Sequence, residues 1–367
     1  IVHGGEVYCW GDNELNECGQ PTGNTILTPT KVQGLDRARK IYTHRVEGGG
    51  ALTCIINEYF EGYCWGKAAF ANGGPNGPEH GHTHVPWRLF GRKYSELALS
   101  WVSAGGVERY HEQGGYVWGA IRMFDSNGGE RYSYRQDDWR QQLLVKSVTM
   151  GKRHTCFLTI DDDVYCSGAN ELHQLGNNGD PELEAKSWPH KVLINQPVKE
   201  VSCREHTCCV LTEDENTVKC WGQNIDGVMG LFDSSQRGNA YYLPHTINVG
   251  SQNLRVSVGV NFACALDSAH LKCWGDNDWG QMGRNSVTSY KLPDNVANLE
   301  ASQIIDISLG SFHICVTVQG YHTDSTMYCW GSNNNNKIRD GNTDSISLPV
   351  PVNNLPAINV GAVTDAP

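Results

Sequence analysis

One short word recurs seven times along this chain at nearly constant spacing. The copies are Cys9-Trp10-Gly11, Cys64-Trp65-Gly66, Val117-Trp118-Gly119, Cys166-Ser167-Gly168, Cys220-Trp221-Gly222, Cys273-Trp274-Gly275 and Cys329-Trp330-Gly331. Successive copies begin 55, 53, 49, 54, 53 and 56 residues apart. A period near 50 residues marks an array or a propeller. From Cys329 through the two termini back to Cys9 is 47 residues (38 to the end of the chain and nine more), so the array has the spacing of a closed ring. The spacing therefore predicts an all-β, seven-bladed β-propeller in which residues 1–367 form a single domain and the N- and C-terminal segments share one blade.

The rest of the period reads as four short strands. An alternating segment such as His154-Thr-Cys156-Phe-Leu-Thr159 precedes the word, with relatives at His206-Thr-Cys208, Phe262-Ala-Cys264 and His313-Ile-Cys315. A polar hairpin such as Asp161-Asp-Asp163 joins it to the word. A Gly/Asn-rich loop follows, then Pro-x-x-Val/Ile/Leu (Pro29 to Val32, Pro86 to Leu89, Pro189 to Val192, Pro244 to Ile247, Pro293 to Val296, Pro349 to Val352), then an apolar stretch such as Ile304-Ile-Asp-Ile307. Four alternating segments bounded by turn residues fit a four-stranded antiparallel blade. No window keeps a 3.6-residue apolar period, so little helix is expected. The recurring Trp is expected to pack between blades.

These residues resemble the regulator-of-chromosome-condensation repeat, Gly-x-x-His-x-x-Ala-Leu followed by Val-Tyr-x-Trp-Gly-x-Asn-x-x-Gly-Gln-Leu-Gly and then Pro-x-x-Val. Val148–Gly176 and Val258–Gly283 fit it best; the third repeat, which lacks the cysteines and the Pro, fits worst. The resemblance implies a seven-bladed ring. It leaves function open, because propeller faces host unrelated activities: the founding member exchanges nucleotide on a nuclear GTPase, whereas a similar bacterial ring inhibits a β-lactamase.

Cysteine usage departs from the nuclear member. In five repeats one Cys ends the segment before the hairpin and another opens the word: Cys54/Cys64, Cys156/Cys166, Cys208/Cys220, Cys264/Cys273 and Cys315/Cys329. Strands joined by a short hairpin set such residues face to face, within disulfide reach. Zinc in the Cys-x2-Cys style is not indicated, since no close pair of that spacing occurs. Of the four remaining, Cys9 would find its cross-strand partner near Ala366, where there is no Cys, which leaves Cys9–Cys18 and Cys203–Cys209 as the expected pairs. Seven disulfides imply an oxidising compartment, hence a secreted or cell-surface protein. The chain opens within a blade and shows no leader, as a trimmed mature chain would. Sequons are absent apart from the rare form Asn16-Glu-Cys18.

Forty acidic against 29 basic residues give a formal charge of −11, with no basic block. Nucleic-acid binding needs a positive stripe, so it is not expected. No stretch approaches the roughly 20 apolar residues of a membrane span.

With strands a to d in each blade, the a–b hairpins and the long c–d loops share one face. The c–d loops fall at about 12–28, 67–85, 120–137, 169–187, 223–242, 276–291 and 332–347. Variable loops on a rigid scaffold commonly carry function. In or beside them lie Trp139, Trp188, Trp279, Tyr132, Tyr134, Phe232, Tyr241 and Tyr242, the candidate anchors for a partner. Trp87 and Trp101 are expected to be packed. His80, His82 and His84 form a weak local metal candidate in the second loop. His154, His206 and His313 share one repeat position and are expected to satisfy backbone groups. Asp161 to Asp163 is expected to be an exposed turn. Neither a cofactor nor a catalytic motif is indicated. The most economical reading is a non-catalytic propeller presenting one face to an extracellular protein, as a receptor, matrix or assembly component or an enzyme inhibitor. A lectin-like propeller stacking its aromatics on a glycan is the alternative, and an enzyme at the channel mouth the second alternative.

Overall fold

The computed structural model describes the chain from Val2 to Leu355, apart from residues 69–80, 90–92, 110–114, 125–129, 134–136, 139–142, 178–188, 214–216, 232–237, 320–324, 339–343 and a few single or paired positions. The described elements are β-strands and one 3-10 turn, Asn334–Asn336. Repeats are numbered by their copy of the word. Repeats two, four, five, six and seven are four-stranded antiparallel sheets in simple meander order. Repeat five, for example, runs Val198–Arg204, Thr207–Thr212, Val218–Gln223 and Ala240–Ile247. Repeat three also builds a four-stranded sheet, but a separate hairpin, Ile121–Phe124 with Glu130–Ser133, interrupts it before the short outer strand Asp137–Asp138. Repeat one shows three strands, Val2–His3, Glu6–Gly11 and Ile26–Lys31. Its expected inner strand would follow Leu355, outside the described residues.

From repeat two to repeat seven the first strands are neighbours in chain order and form the inner wall. The apolar clusters lie in the seams. One joins repeats one to three around Trp65, another joins four and five around Trp221, and a third joins six and seven around Trp330.

The word explains the seams. In repeats one, two, five, six and seven the ladder between the third and fourth strands slips between Cys and Gly, as at Cys220/Gly222, so the Trp forms a bulge. A bulge re-aims its side chain. Each described Trp then donates its indole N–H to a carbonyl in the c–d loop of the preceding repeat: Trp65 to Glu17 at 2.9 Å, Trp221 to Gln174 at 2.9 Å, Trp274 to Val228 at 2.7 Å and Trp330 to Gln281 at 2.6 Å. Trp10 makes the same bond to Lys337 at 2.8 Å, from the first repeat to the last. The loop side of the contact needs glycine: at Gly176 (φ +62°) and Gly283 (φ +65°) a Cβ would lie 2.9 Å from the Nε1 of Trp221 and of Trp330.

Each of these loops is also pinned internally. A buried Asn accepts from the backbone N–H five residues on, as in Asn13–Cys18 (3.0 Å), Asn170–Leu175 (3.0 Å), Asn224–Met229 (3.0 Å), Asn277–Met282 (2.8 Å) and Asn333–Ile338 (2.8 Å). The backbone of the first half of every such loop is therefore fixed to the scaffold.

The cysteines form seven disulfides: Cys9–Cys18, Cys54–Cys64, Cys156–Cys166, Cys203–Cys208, Cys209–Cys220, Cys264–Cys273 and Cys315–Cys329. In repeat two Cys54 lies directly opposite Cys64 across the hairpin, as Cys156 does opposite Cys166 in repeat four. The expected Cys208/Cys220 and Cys203/Cys209 pairs are corrected. Register is the cause, since Cys209 lies opposite Cys220 and Cys203 opposite Cys208. The same one-residue offset removes His206 from the shared histidine position. His154 and His313 pair with the Gly of the word (Gly168 and Gly331), whereas in repeat five Thr207 pairs with Gly222. His206 lies in the turn before that strand.

Candidate functional site at the hairpin end of the ring

The a–b turns and c–d loops meet at one end of the ring, where contacts between repeats show them to be a single surface. Trp101, in the a–b turn of repeat three, donates its indole N–H to Glu205 Oε1 of repeat five at 2.8 Å. The Lys152 ammonium of repeat four sits 3.8 Å from the Trp101 ring centroid and 3.8 Å from Glu205 Oε2. Three consecutive hairpin tips are thus tied through one aromatic ring, which stays half-exposed. Farther round, Trp279 of the c–d loop in repeat six leans on Phe312 in the a–b turn of repeat seven, with ring centroids 6.3 Å apart.

Inside this rim lies the channel mouth. Arg204 ends the inner strand of repeat five, and its charge helps to lower both His44 of repeat two and His313 of repeat seven. Lys337 in turn acts on His313 and feels Arg45. Burial pushes the His44 imidazole down to about 3 and Arg204 lowers it further; the His44 Nδ1 lies 2.6 Å from the Arg45 carbonyl. Burial, with Lys337 and Arg204 adding to it, pushes His313 down to about 4. Enclosure pushes the Arg204 guanidinium down to about 10, against the pull of Glu205, and depresses Lys337 as well. His206 is pushed to about 4 by burial and by Lys152 and Arg153. The buried Arg204 Nε and His44 Nε2 have no hydrogen-bond partner among the described residues. A buried donor without a partner is costly, so the Arg204 Nε position is suited to a hydrogen-bond acceptor.

Of the aromatic candidates, Trp279 is half-buried, while Tyr242 is exposed and packs edge-on against His173 of the preceding repeat at 5.7 Å. Tyr241 lies beside His245 at 5.9 Å, and both tyrosines begin the outer strand of repeat five. Trp139, Trp188, Tyr134 and Phe232 lie outside the described residues, and of Tyr132 only the backbone, in Glu130–Ser133, is described. Trp87 is buried, as expected. Trp101, expected to be packed, is instead at the rim; its position midway between two repeat segments was the available signal. His80 falls outside the described residues. His82 and His84 stand in the outer strand Gly81–Arg88 rather than in a loop, and His82 Nδ1 meets Asn16 at 2.9 Å. In the Asp161–Asp163 turn, Asp162 pairs with Lys146 and Asp163 with Lys191, so two of the three carboxylates are engaged by lysines.

The His154 ring does not satisfy backbone groups as expected. Its Nδ1 is buried without a partner, and its Nε2 lies 3.1 Å from Cys208 Sγ across the seam to repeat five. Burial, with a smaller effect of His206, holds this imidazole down to about 3, which keeps it neutral. His154, Cys156, Cys203 and Cys208 bring one nitrogen and three sulfurs together, a convergence that local cysteine spacing does not reveal.

Residues 145–174, and residues 4–56 and 273–317, match the regulator of chromosome condensation (RCC1) repeat. The human E3 ubiquitin-protein ligase HERC2 is 26% identical over 358 residues, covering 94% of this chain and 7% of HERC2. The Arabidopsis thaliana ultraviolet-B receptor UVR8 is 27% identical over 243 residues, 64% of this chain and 52% of the receptor. The chain thus spans from a small fraction to about half the length of these relatives. Among solved structures, yeast RCC1 (Prp20) bound to Kap60 superposes with a TM-score of 0.78 at 18% identity, covering 95% of this chain and 84% of Prp20. Human WBSCR16 superposes with a TM-score of 0.76 at 16% identity, covering 95% and 94%. These likenesses concern the fold.

Proposed function

Because the chain belongs to the RCC1-repeat family of β-propellers, we propose that it is a non-catalytic interaction module whose hairpin end grips a macromolecular partner. The observation that carries this reading is the tied rim: Trp101, Lys152 and Glu205 join three hairpins, with Trp279 on Phe312 farther round. Rigid aromatic anchors of this kind dominate binding energy at protein interfaces. Tyr241, Tyr242 and Trp279 are the described anchors, with Trp139, Trp188, Tyr132, Tyr134 and Phe232 as further candidates. Prp20, which shares the fold, was crystallised with the protein Kap60 on it. The partner's contact at the centre would be acidic, to meet Arg204, Arg45 and Lys337, while its outer contacts meet a chain that is negative overall.

In this reading all seven repeats, residues 1–367, close into one ring, and residues beyond Leu355 complete the first blade. The bond from Trp10 to Lys337 supports closure because it repeats the contact made at four other seams. Seven cystines support an oxidising, extracellular setting.

A second reading, a small-molecule or catalytic site at the channel mouth, is favoured by the unpartnered Arg204 Nε and His44 Nε2. One experiment separates the two. The protein and its Trp101→Ala, Tyr242→Ala and Arg204→Gln variants are isolated from the natural source and analysed by native mass spectrometry. A stoichiometric protein companion lost in Trp101→Ala and Tyr242→Ala supports the interaction module. A small anion lost only in Arg204→Gln supports the second reading and contradicts the first.

A further inference from the structure

We propose that the reduced chain holds one zinc ion in the seam between repeats four and five, on His154 Nε2 and the Sγ atoms of Cys156, Cys203 and Cys208. The four ligand atoms already lie within 4.8 Å of one another, and all four residues are buried. Tetrahedral zinc with Zn–S bonds near 2.3 Å sets its sulfurs about 3.8 Å apart. Cys156 Sγ and Cys208 Sγ, from different repeats and different disulfides, stand 3.7 Å apart. His154 Nε2 approaches the same sulfur at 3.1 Å. In the oxidised chain this imidazole has only a disulfide sulfur to face, a weak acceptor, and a metal would give its Nε2 lone pair a use. Three Cys and one His is a common structural zinc set.

Cys203 makes the site particular to this seam. It is the one cysteine on a described inner strand, and its partner Cys208 occupies the place filled by Ala263 opposite Val258 in repeat six. Three thiolates and one Zn2+ sum to −1, a charge the imidazole ligand leaves unchanged.

The two states are related by a balanced exchange. Two equivalents of a dithiol reductant deliver four electrons and four protons to the Cys156–Cys166 and Cys203–Cys208 disulfides and are themselves oxidised to two disulfides, leaving four thiols. Zinc then displaces the protons of Cys156, Cys203 and Cys208, while Cys166 remains a thiol. The same positions are thus a double staple under oxidising conditions and a metal clasp under reducing ones.

The test is the zinc content, by elemental mass spectrometry, of the full chain produced in a reducing cytosol with zinc and freed of loose metal by a weak chelator. Wild type should carry one zinc per chain. Cys203→Val/Cys208→Ala, built on the Val258/Ala263 pair that the fold already accepts, should carry none while remaining folded by circular dichroism. Cys264→Ser/Cys273→Ser, a cystine with no imidazole contact of this kind, should keep the metal. Folded reduced wild type without stoichiometric zinc, or equal zinc in Cys203→Val/Cys208→Ala, would overturn the proposal.

Discussion

Repeats four and five carry the same parts and use them differently. In repeat four Gly151 and His154 flank a two-residue turn, and the imidazole lies on the glycine: a Cβ there would fall 2.0 Å from His154 Cε1. Repeats six and seven do the same with Gly259 under Phe262 and Gly310 under His313, where the clash would be at 2.2 Å in each case. Repeat five has Thr207 at the ring position and Arg204 at the glycine position. Without the ring, the requirement for glycine disappears. A charged residue then stands at the position where three other repeats have bare glycine backbone under a packed ring. The chemistry of the mouth therefore arises from coupled departures from the repeat, on a scaffold that the repeat itself maintains.

The largest effect should come from the seam. Trp221→Ala removes a fully buried ring and its bond to the Gln174 carbonyl, and should cost about 3–5 kcal/mol in urea unfolding. Repeat four has Ser167 at that position, and Ser167→Ala should cost about 1 kcal/mol or less. Equal costs would mean that the word is not what holds adjacent blades together.

The ring-over-glycine pairing can be broken directly. Gly310→Ala should cost about 1–3 kcal/mol by overpacking against His313. Adding His313→Thr, the repeat-five solution, should recover part of that loss, so the pair is non-additive. Strict additivity, measured as midpoints of denaturant unfolding, would show that ring and glycine are independent.

A smaller effect sharpens the comparison through pH. His154 is held near 3 when folded and titrates near 6.5 when unfolded. Between those values the unfolded chain binds the extra proton, so this group's contribution makes stability fall as pH drops below about 6.5, by roughly 1.4 kcal/mol per unit at full effect. Half-buried Glu96 and Glu200 work in the opposite sense, because desolvation raises their carboxyls and the folded state takes up those protons first. His154→Thr should flatten the acid side of the stability curve, measured as melting temperature from pH 7 to 4.5. An unchanged slope would mean that the imidazole becomes charged in place.

Much of this was legible in the sequence because the constraints are periodic. The period of the word marked the repeated sheets and the alternating segments their four strands, its Trp was expected at the seams, and the cysteine recurrence anticipated cross-strand cystines. Repeat five was misread because His206-Thr-Cys208 imitates His154-Thr-Cys156, whereas strand register is counted from the word, and the Cys209–Cys220 separation is one residue longer than Cys156–Cys166. Adjacent cysteines offered two registers, and only pairing with Gly222 chooses between them. The mouth was illegible for another reason. His44, Arg204 and His313 come from different repeats and act on one another only through their charges in the fold, so no local spacing announces them. Trp101 likewise gains its role from Lys152 and Glu205, which belong to other repeats.

The disulfide linkage of repeat five tests the register on which both Arg204 and the sulfur cluster depend. Unreduced protein isolated from its source would be digested and the peptides fragmented in the gas phase to separate Cys208 from Cys209. Links Cys203–Cys208 and Cys209–Cys220 are expected. Links Cys208–Cys220 and Cys203–Cys209 would shift the second strand by one residue against the third and contradict the register on which the sulfur cluster and the place of Thr207 opposite Gly222 rest.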